Sequence, residues 1–239
     1  YRAKLNFSLI LPVSQTLYVL LDRYQMLVVT IKYSQYPPSH ISPRKKQESN
    51  KNWKVTQTNI KNNTTEEFKA DVQGWIKTAM HPTKNVTYDQ LVYQPMLELL
   101  AYLRANDFKT YVVSGGGVDF MRAFVTEIYE IPEEQIIGSR IKTAFDYNDG
   151  NPVIKRLPEL DFIDDKDGKP LNIQKIIGKK PIFASGNSDG DLQMMQWTAS
   201  NDQKSFMLYL HHTDQEREWA YDRESHIGKL DQGLDQALK

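Results

Sequence analysis

The stretch that most constrains the fold is residues 108–121, which reads FKTYVVSGGGVDFM. Residues 110–113 form a short run of β-branched and aromatic side chains, which is typical of a buried strand, and Ser114 and three glycines end it. From Val118 onward the apolar residues follow helical spacing. The sequence therefore predicts a strand, a glycine turn and a helix. Free backbone N–H groups and the Ser114 hydroxyl at such a junction suit an oxyanion, and a tight turn without a ligand is the alternative.

Strand and helix patterns alternate through the rest of the chain. The predicted strands are residues 136–147 and 153–157, which form a hairpin around Asn148-Asp149-Gly150-Asn151, and residues 181–185 and 206–210. The predicted helices are residues 94–106, 169–177, 192–197, 214–222 and 229–238. This order predicts an α/β fold with a doubly wound parallel sheet, in which ligands bind at the carboxyl ends of the strands.

The amino-terminal part has a different composition. Residues 5–13 predict the first strand, and residues 16–31 predict an apolar helix or a second buried segment. Residues 33–63 are rich in Ser, Pro, Asn and Lys and predict a long basic loop. We favour a solvated loop over a nucleic-acid-binding arm, because few aromatic residues are interleaved with the basic ones. A capping box at Thr64 to Glu67 then predicts the start of a helix.

Composition excludes several classes of function. Lys plus Arg and Asp plus Glu both number 30, so overall charge does not favour a nucleic acid or an acidic membrane surface as partner. The chain has no cysteine, which rules out disulfides, thiolate metal sites and cysteine nucleophiles. Asp22-Arg23 interrupts the most apolar segment, residues 17–31. We expect a soluble protein of the cytoplasm or the bacterial periplasm, with no nucleic-acid or membrane partner; its oligomeric state is left open.

Two predicted strand ends carry the residues suited to chemistry. An acidic turn suits a hard cation such as Mg²⁺, a lysine suits phosphate charge, and a serine with backbone N–H groups suits phosphoryl oxygens. Adjacent His211 and His212 point to opposite faces of a strand, so we favour a structural or substrate-edge role for them over a metal site. The candidate phosphate–metal site consists of Ser114, Gly115, Gly116, Lys169, Asn187, Asp189 and Asp191.

These motifs resemble the haloacid dehalogenase (HAD) superfamily, specifically its phosphoserine-phosphatase-like hydrolases, over residues 64–239. The resemblance implies a HAD-like Rossmannoid core at residues 1–17 and 94–239, with a small helical cap at 18–93 inserted after the first strand. It also implies Mg²⁺-dependent hydrolysis of a small phosphomonoester, such as a phosphoserine-like substrate, through an aspartyl-phosphate. The implied roles are catalysis for Ser114 and Lys169, phosphate binding for Ser114, Gly115, Gly116 and Lys169, and metal binding for Asn187, Asp189 and Asp191. Lys166 is the alternative register for the lysine.

One motif of the family is missing. In the family, an Asp-x-Asp sequence at the end of the first strand supplies the nucleophile, but this chain has no acidic residue before Asp22. In one alignment Pro12 and Ser14 occupy the positions of the two carboxylates. We therefore expect weak Mg²⁺ binding and little phosphatase activity from the chain as written. The alternative function is a pseudoenzyme that binds phosphate or a phosphorylated metabolite.

Overall fold

The computed structural model describes residues 26–29, 63–81, 84–214, 216, 220, 222–225 and 228–237. The strands are β1 (Met26–Val29), β2 (Lys109–Gly117), β3 (Ile136–Asn148), β4 (Asn151–Phe162), β5 (Phe183–Gly186) and β6 (Phe206–Tyr209). The α-helices are α1 (Thr65–Ile76), α2 (Gln94–Ala105), α3 (Val118–Arg122), α4 (Val125–Tyr129), α5 (Gly168–Ile177), α6 (Leu192–Ala199) and α7 (Gln232–Ala237). The predicted helix at 214–222 is not formed by those of its residues that the structure describes.

A six-stranded sheet in the order β4-β3-β2-β1-β5-β6 forms the centre of the fold. Strands β1, β2, β3, β5 and β6 are parallel, and β4 returns antiparallel to β3. The turn between β3 and β4 contains Asp149 and Gly150, both with positive φ, as the Asn-Asp-Gly-Asn sequence predicts. The predicted α/β class and parallel sheet are confirmed.

Strand β1 lies in a segment whose structure the sequence left open. Met26–Val29 pairs with β2 on one side and β5 on the other, so these four residues lie in the middle of the sheet. They fall within residues 16–31, which were predicted as an apolar helix or a second buried segment, and within the predicted cap at 18–93; a short apolar run does not reveal by itself whether it is a strand. The predicted strand at 5–13, with Pro12 and Ser14, lies outside the described residues.

Helices cover both faces of the sheet. On one face Val112 packs with residues from α1 to α4, including Phe68, Leu100 and Met121. On the other face Tyr111 and Val113 pack with residues of α5 and α6. Residues 110–114 of β2 are all buried, as expected for a parallel strand covered on both sides. Helices on both faces of a parallel sheet make the arrangement doubly wound.

Helix α1 belongs to this core as well. The predicted capping box is present: Glu67 N–H donates to Thr64 Oγ1 at 3.1 Å, and Thr64 N–H donates to Glu67 Oε2 at 2.9 Å. Phe68, Val72 and Ile76 are buried in the same cluster as Val112. The helix predicted as part of a cap therefore packs directly on the sheet.

Candidate functional site

Lys169 joins the ends of two strands. Its side chain is only 2% exposed although it is the second residue of α5. Its Nζ donates to the carbonyl oxygen of Val113 at 2.9 Å and lies 2.8 Å from Asp191 Oδ1. Val113 is near the end of β2, and Asp191 follows β5, so this ammonium group spans the two strands that flank β1. Lys166, the alternative register, is exposed.

Asp191 is held by the turn that contains it. Its Oδ2 accepts the N–H groups of Asn187 at 3.0 Å and Ser188 at 3.1 Å, and the Ser188 hydroxyl at 3.2 Å. A Cβ at position 186 would lie 2.6 Å from the Asp191 carboxylate carbon, so only glycine lets this carboxylate fold back over the strand end. The turn thus presents a fully buried carboxylate whose other oxygen meets Lys169.

The glycine segment after Ser114 is the irregular end of β2 and not a turn outside the strand. Ser114 pairs with Gly138 and Gly117 with Ser139, so Gly115 and Gly116 form a bulge between two regular pairs. Gly116 N–H donates to Ser114 Oγ at 3.1 Å. Ser114 lies directly after Val113, which places its backbone beside the Lys169 contact, at the same edge of the sheet as Asp191.

Asp164 is a buried carboxylate that sequence analysis did not single out. Its N–H donates to Ser139 Oγ at 2.9 Å, and that hydroxyl donates to the Gly115 carbonyl at 2.8 Å. Its Oδ1 accepts Asn172 Nδ2 at 3.1 Å, whereas Oδ2 has no hydrogen-bond partner among the described residues. Burial raises the pKa of Asp164 to about 6, although the nearby charge of Lys169 and the Asn172 hydrogen bond oppose the rise. Its position in an acidic run was the only sequence signal.

Asn187 contacts a histidine. Its Nδ2 lies 3.2 Å from His212 Nε2, and His212 Nδ1 lies 3.1 Å from the hydroxyl of Tyr93. His212 is 3% exposed, and its ring centroid is 5.1 Å from that of Tyr93. The neighbouring His211 instead contacts Asp222 Oδ2 at 3.1 Å, on the partly exposed side. The two histidines thus contact different partners.

Asp189, another of the predicted metal ligands, accepts backbone hydrogen bonds from the carboxyl-terminal segment. Its Oδ1 accepts the N–H groups of Asp231 and Gly233, both at 2.9 Å, and so anchors the segment before α7. Within the ranges that the structure describes, no three His, Cys, Asp or Glu side chains meet as a metal site. Both oxygens of Asp191 are already engaged by donors, since Oδ2 accepts three hydrogen bonds and Oδ1 meets Lys169 Nζ, so the pair Asn187 and Asp191 does not supply the carboxylate that Mg²⁺ requires. The metal-binding role of Asn187, Asp189 and Asp191 therefore stays a prediction from the sequence.

Comparisons with protein-family models and with curated proteins gave no match. Among solved structures, the chain is similar to a conserved functionally unknown protein from Anaerococcus prevotii, with 25% identity over 68% of this chain and a TM-score of 0.49. A phosphoserine phosphohydrolase-like protein from Francisella tularensis is 18% identical to this chain; the match covers 72% of this chain and 82% of that protein, with a TM-score of 0.38. A probable phosphoserine phosphatase from Vibrio cholerae is 14% identical to this chain; the match covers 90% of this chain and 64% of that protein, with a TM-score of 0.40. The chain spans half the length of the Anaerococcus protein.

Among the helices of the described residues, none has the length and apolarity needed to cross a membrane.

Proposed function

We propose that this protein is a HAD-type phosphohydrolase that binds a small phosphomonoester at the carboxyl ends of β2 and β5. The observation that supports this most is the buried Lys169 ammonium, held between the Val113 carbonyl and Asp191. A lysine is rarely fully buried unless its charge is paired, and here it is fixed at the sheet edge where doubly wound folds bind their ligands. A phosphoryl group beside it would find a positive charge that is already positioned.

The bulge after Ser114 supplies the second half of the phosphate site. Ser139 orients the Gly115 carbonyl, and Gly116 N–H and Ser114 Oγ are hydrogen-bonded to each other. Both groups can donate to a phosphoryl oxygen, so phosphate binding would replace one internal hydrogen bond by two charge-assisted ones. In this proposal Ser114, Gly115, Gly116 and Lys169 bind the phosphoryl group, as the resemblance to the family implies.

In this proposal Mg²⁺ would bind on the β5 side, at the turn that carries Asn187, Asp189 and Asp191, although the contacts of Asp191 leave its carboxylate engaged by donors. When bound, Mg²⁺ would neutralise charge on the phosphoryl oxygens. In this scheme Lys169 holds Asp191 and neutralises charge on the phosphoryl group. We expect weak binding of Mg²⁺, because an amide replaces one of the carboxylates that the family uses.

Strand β1 lies between β2 and β5, and in this proposal the attacking carboxylate of the family would follow it. The residues that follow Met26–Val29 in the chain are Thr30, Ile31 and Lys32, and the next acidic residue is Glu48. Asp22 precedes this strand, whereas the nucleophile of the family follows it. Since phosphomonoester hydrolysis needs accelerations up to about 10²¹-fold, positioning alone leaves a slow reaction. We expect the unmodified chain to bind phosphate and to turn over slowly.

The test compares the unmodified chain with a Thr30→Asp/Lys32→Asp variant on a panel of small phosphomonoesters with Mg²⁺, and measures thermal stabilisation by inorganic phosphate. We expect phosphate to stabilise both proteins, and turnover to rise in the variant and to fall again when Lys169→Met is added. Phosphate binding without turnover in either protein would favour the pseudoenzyme alternative. If phosphate stabilises neither protein and no turnover depends on Lys169, the proposed function is wrong.

A further inference from the structure

The peptide between Gly115 and Gly116 carries two groups that point in opposite directions. In a trans peptide the carbonyl of one residue and the N–H of the next lie on opposite sides, so the Gly115 carbonyl and the Gly116 N–H turn together. Gly116 does not have a positive φ in the structure, and a half-turn of this peptide would give it one, which glycine tolerates. Whatever holds the Gly115 carbonyl therefore decides which way the Gly116 N–H points.

Ser139 of β3 holds that carbonyl. Its hydroxyl donates to the Gly115 oxygen at 2.8 Å and accepts the N–H of Asp164 at 2.9 Å, and the side chain is buried. Because a carbonyl oxygen can only accept and a backbone N–H can only donate, the single proton of the hydroxyl must lie on the side of Gly115. The two partners thus fix the direction of this hydrogen bond.

The next carbonyl of the bulge lies against the same strand. A Cβ at position 138 would lie 2.7 Å from the Gly116 oxygen, so glycine at position 138 leaves the room that the bulge occupies. Gly138 pairs with Ser114, and Ser139 pairs with Gly117. Both carbonyls of the bulge therefore lie against β3, while the Gly116 N–H points to Ser114 Oγ at 3.1 Å.

We propose that Ser139 is a positioning residue for phosphate binding: its hydrogen bond to the Gly115 carbonyl keeps the Gly116 N–H, and not a carbonyl oxygen, on the side where a phosphoryl group binds. With the peptide reversed, the Gly115 oxygen would face the phosphoryl oxygens, and their negative charges would repel it. This role rests on the proposed function, because that proposal places the phosphoryl group beside Ser114 and Gly116. Ser139 acts through the peptide and does not need to touch the ligand.

Two substitutions of Ser139 test this role. Ser139→Ala removes the donor, and Ser139→Cys replaces it by a thiol, which is a weak donor. The loss of one hydrogen bond to a charged group corresponds to a weakening of about 10- to 100-fold, and we expect that loss of affinity for inorganic phosphate in Ser139→Ala. Ser139→Cys should weaken binding in the same direction.

Ser185 provides a matched control. It is a buried serine on β5 whose hydroxyl has no hydrogen-bond partner among the described residues. Ser185→Ala therefore removes a buried hydroxyl without releasing a carbonyl, and we expect it to leave the affinity for phosphate unchanged. Calorimetry with inorganic phosphate measures the unmodified chain and all three variants.

A second readout separates positioning from a loss of stability. In NMR spectra of the nitrogen-15-labelled protein, the amide signal of Gly116 should shift when phosphate is added, because its N–H then donates to a charged oxygen. The shift should be much smaller in Ser139→Ala. A merely structural role of Ser139 would lower the free energy of unfolding but leave the phosphate affinity of the folded protein and this shift unchanged, and that outcome would overturn the inference. If Ser139→Ala does not fold, the same two measurements on Ser139→Cys decide.

This failure is distinguishable from the failure of the proposed function. If inorganic phosphate binds neither the unmodified chain nor Ser185→Ala, the proposed phosphate site is wrong, and the role of Ser139 is overturned with it. If phosphate binds the unmodified chain, Ser139→Ala and Ser139→Cys equally tightly, only the role of Ser139 is wrong.

Discussion

Asp164 should make the stability of this protein fall as pH rises, which is unusual for an aspartate. Its side chain is fully buried, and one carboxylate oxygen has no hydrogen-bond partner among the described residues. Burial raises its pKa from 3.8 to about 6. Ionisation of Asp164 therefore costs more free energy in the folded protein than in the unfolded chain, where water solvates the carboxylate.

The sign and size follow from the two pKa values. Between 3.8 and about 6 the folded state binds the proton of Asp164 more tightly than the unfolded state does, so the free energy of unfolding decreases as pH rises through that interval. The free-energy penalty for ionising the buried Asp164 is absent below pH 3.8 and complete above about pH 6. Since one pKa unit corresponds to about 1.4 kcal/mol, the full penalty is about 3 kcal/mol.

Asp164→Asn tests this directly. Asparagine keeps an oxygen to accept from Asn172 but cannot ionise. Urea unfolding from about pH 4 to about pH 7.5 should show the variant gaining about 3 kcal/mol relative to the unmodified protein as pH rises. The neighbouring Asp165, which is exposed, gives a control in Asp165→Asn, for which we expect a much smaller change. A stability difference between Asp164→Asn and the unmodified protein that does not vary with pH would refute the reasoning.

Three further predictions concern stability and are measured by urea or thermal unfolding. Gly186→Ala should lower the free energy of unfolding by about 1–3 kcal/mol or more, because the new methyl group displaces the Asp191 carboxylate. The control Gly74→Ala, in open space within α1, should raise it by about 0.5–1 kcal/mol. Equal effects of the two substitutions would contradict the close approach at Gly186. Lys169→Met should cost about 3–5 kcal/mol by leaving Asp191 buried without its cation, and adding Asp191→Asn should recover part of the loss. Thr64→Ala should cost about 1 kcal/mol, and no loss would mean that the capping box contributes little.

Local patterns in the sequence determined the elements whose cause is local. The capping box at Thr64, the Asp149-Gly150 turn and the switch to helical spacing at Val118 are set by side chains within a few residues of one another. The burial of consecutive residues in β2 also follows from composition, because a strand covered on both faces must be apolar on both. These features, and with them the α/β class, were predictable without any long-range information.

The first strand was not predictable in the same way. Residues 5–13 and Met26–Val29 are both short apolar runs, and periodicity does not distinguish between them. The difference lies in pairing: Val29 is in register with Val112 on one side and Ser185 on the other. Pairing with β2 and β5, which come more than 75 residues later in the chain, places Met26–Val29 in the middle of the sheet.

The candidate site shows the same division. The sequence placed Lys169 at a helix start and Asp191 in an acidic turn, and its α/β pattern predicted that both lie at one edge of the sheet. It did not show that Asp189 turns away to Asp231 or that Asn187 meets His212, because residues far apart in the chain make these contacts. Hydrogen bonds of buried polar groups depend on which backbone and side-chain atoms the whole fold brings within about 3 Å, and no local pattern records that distance.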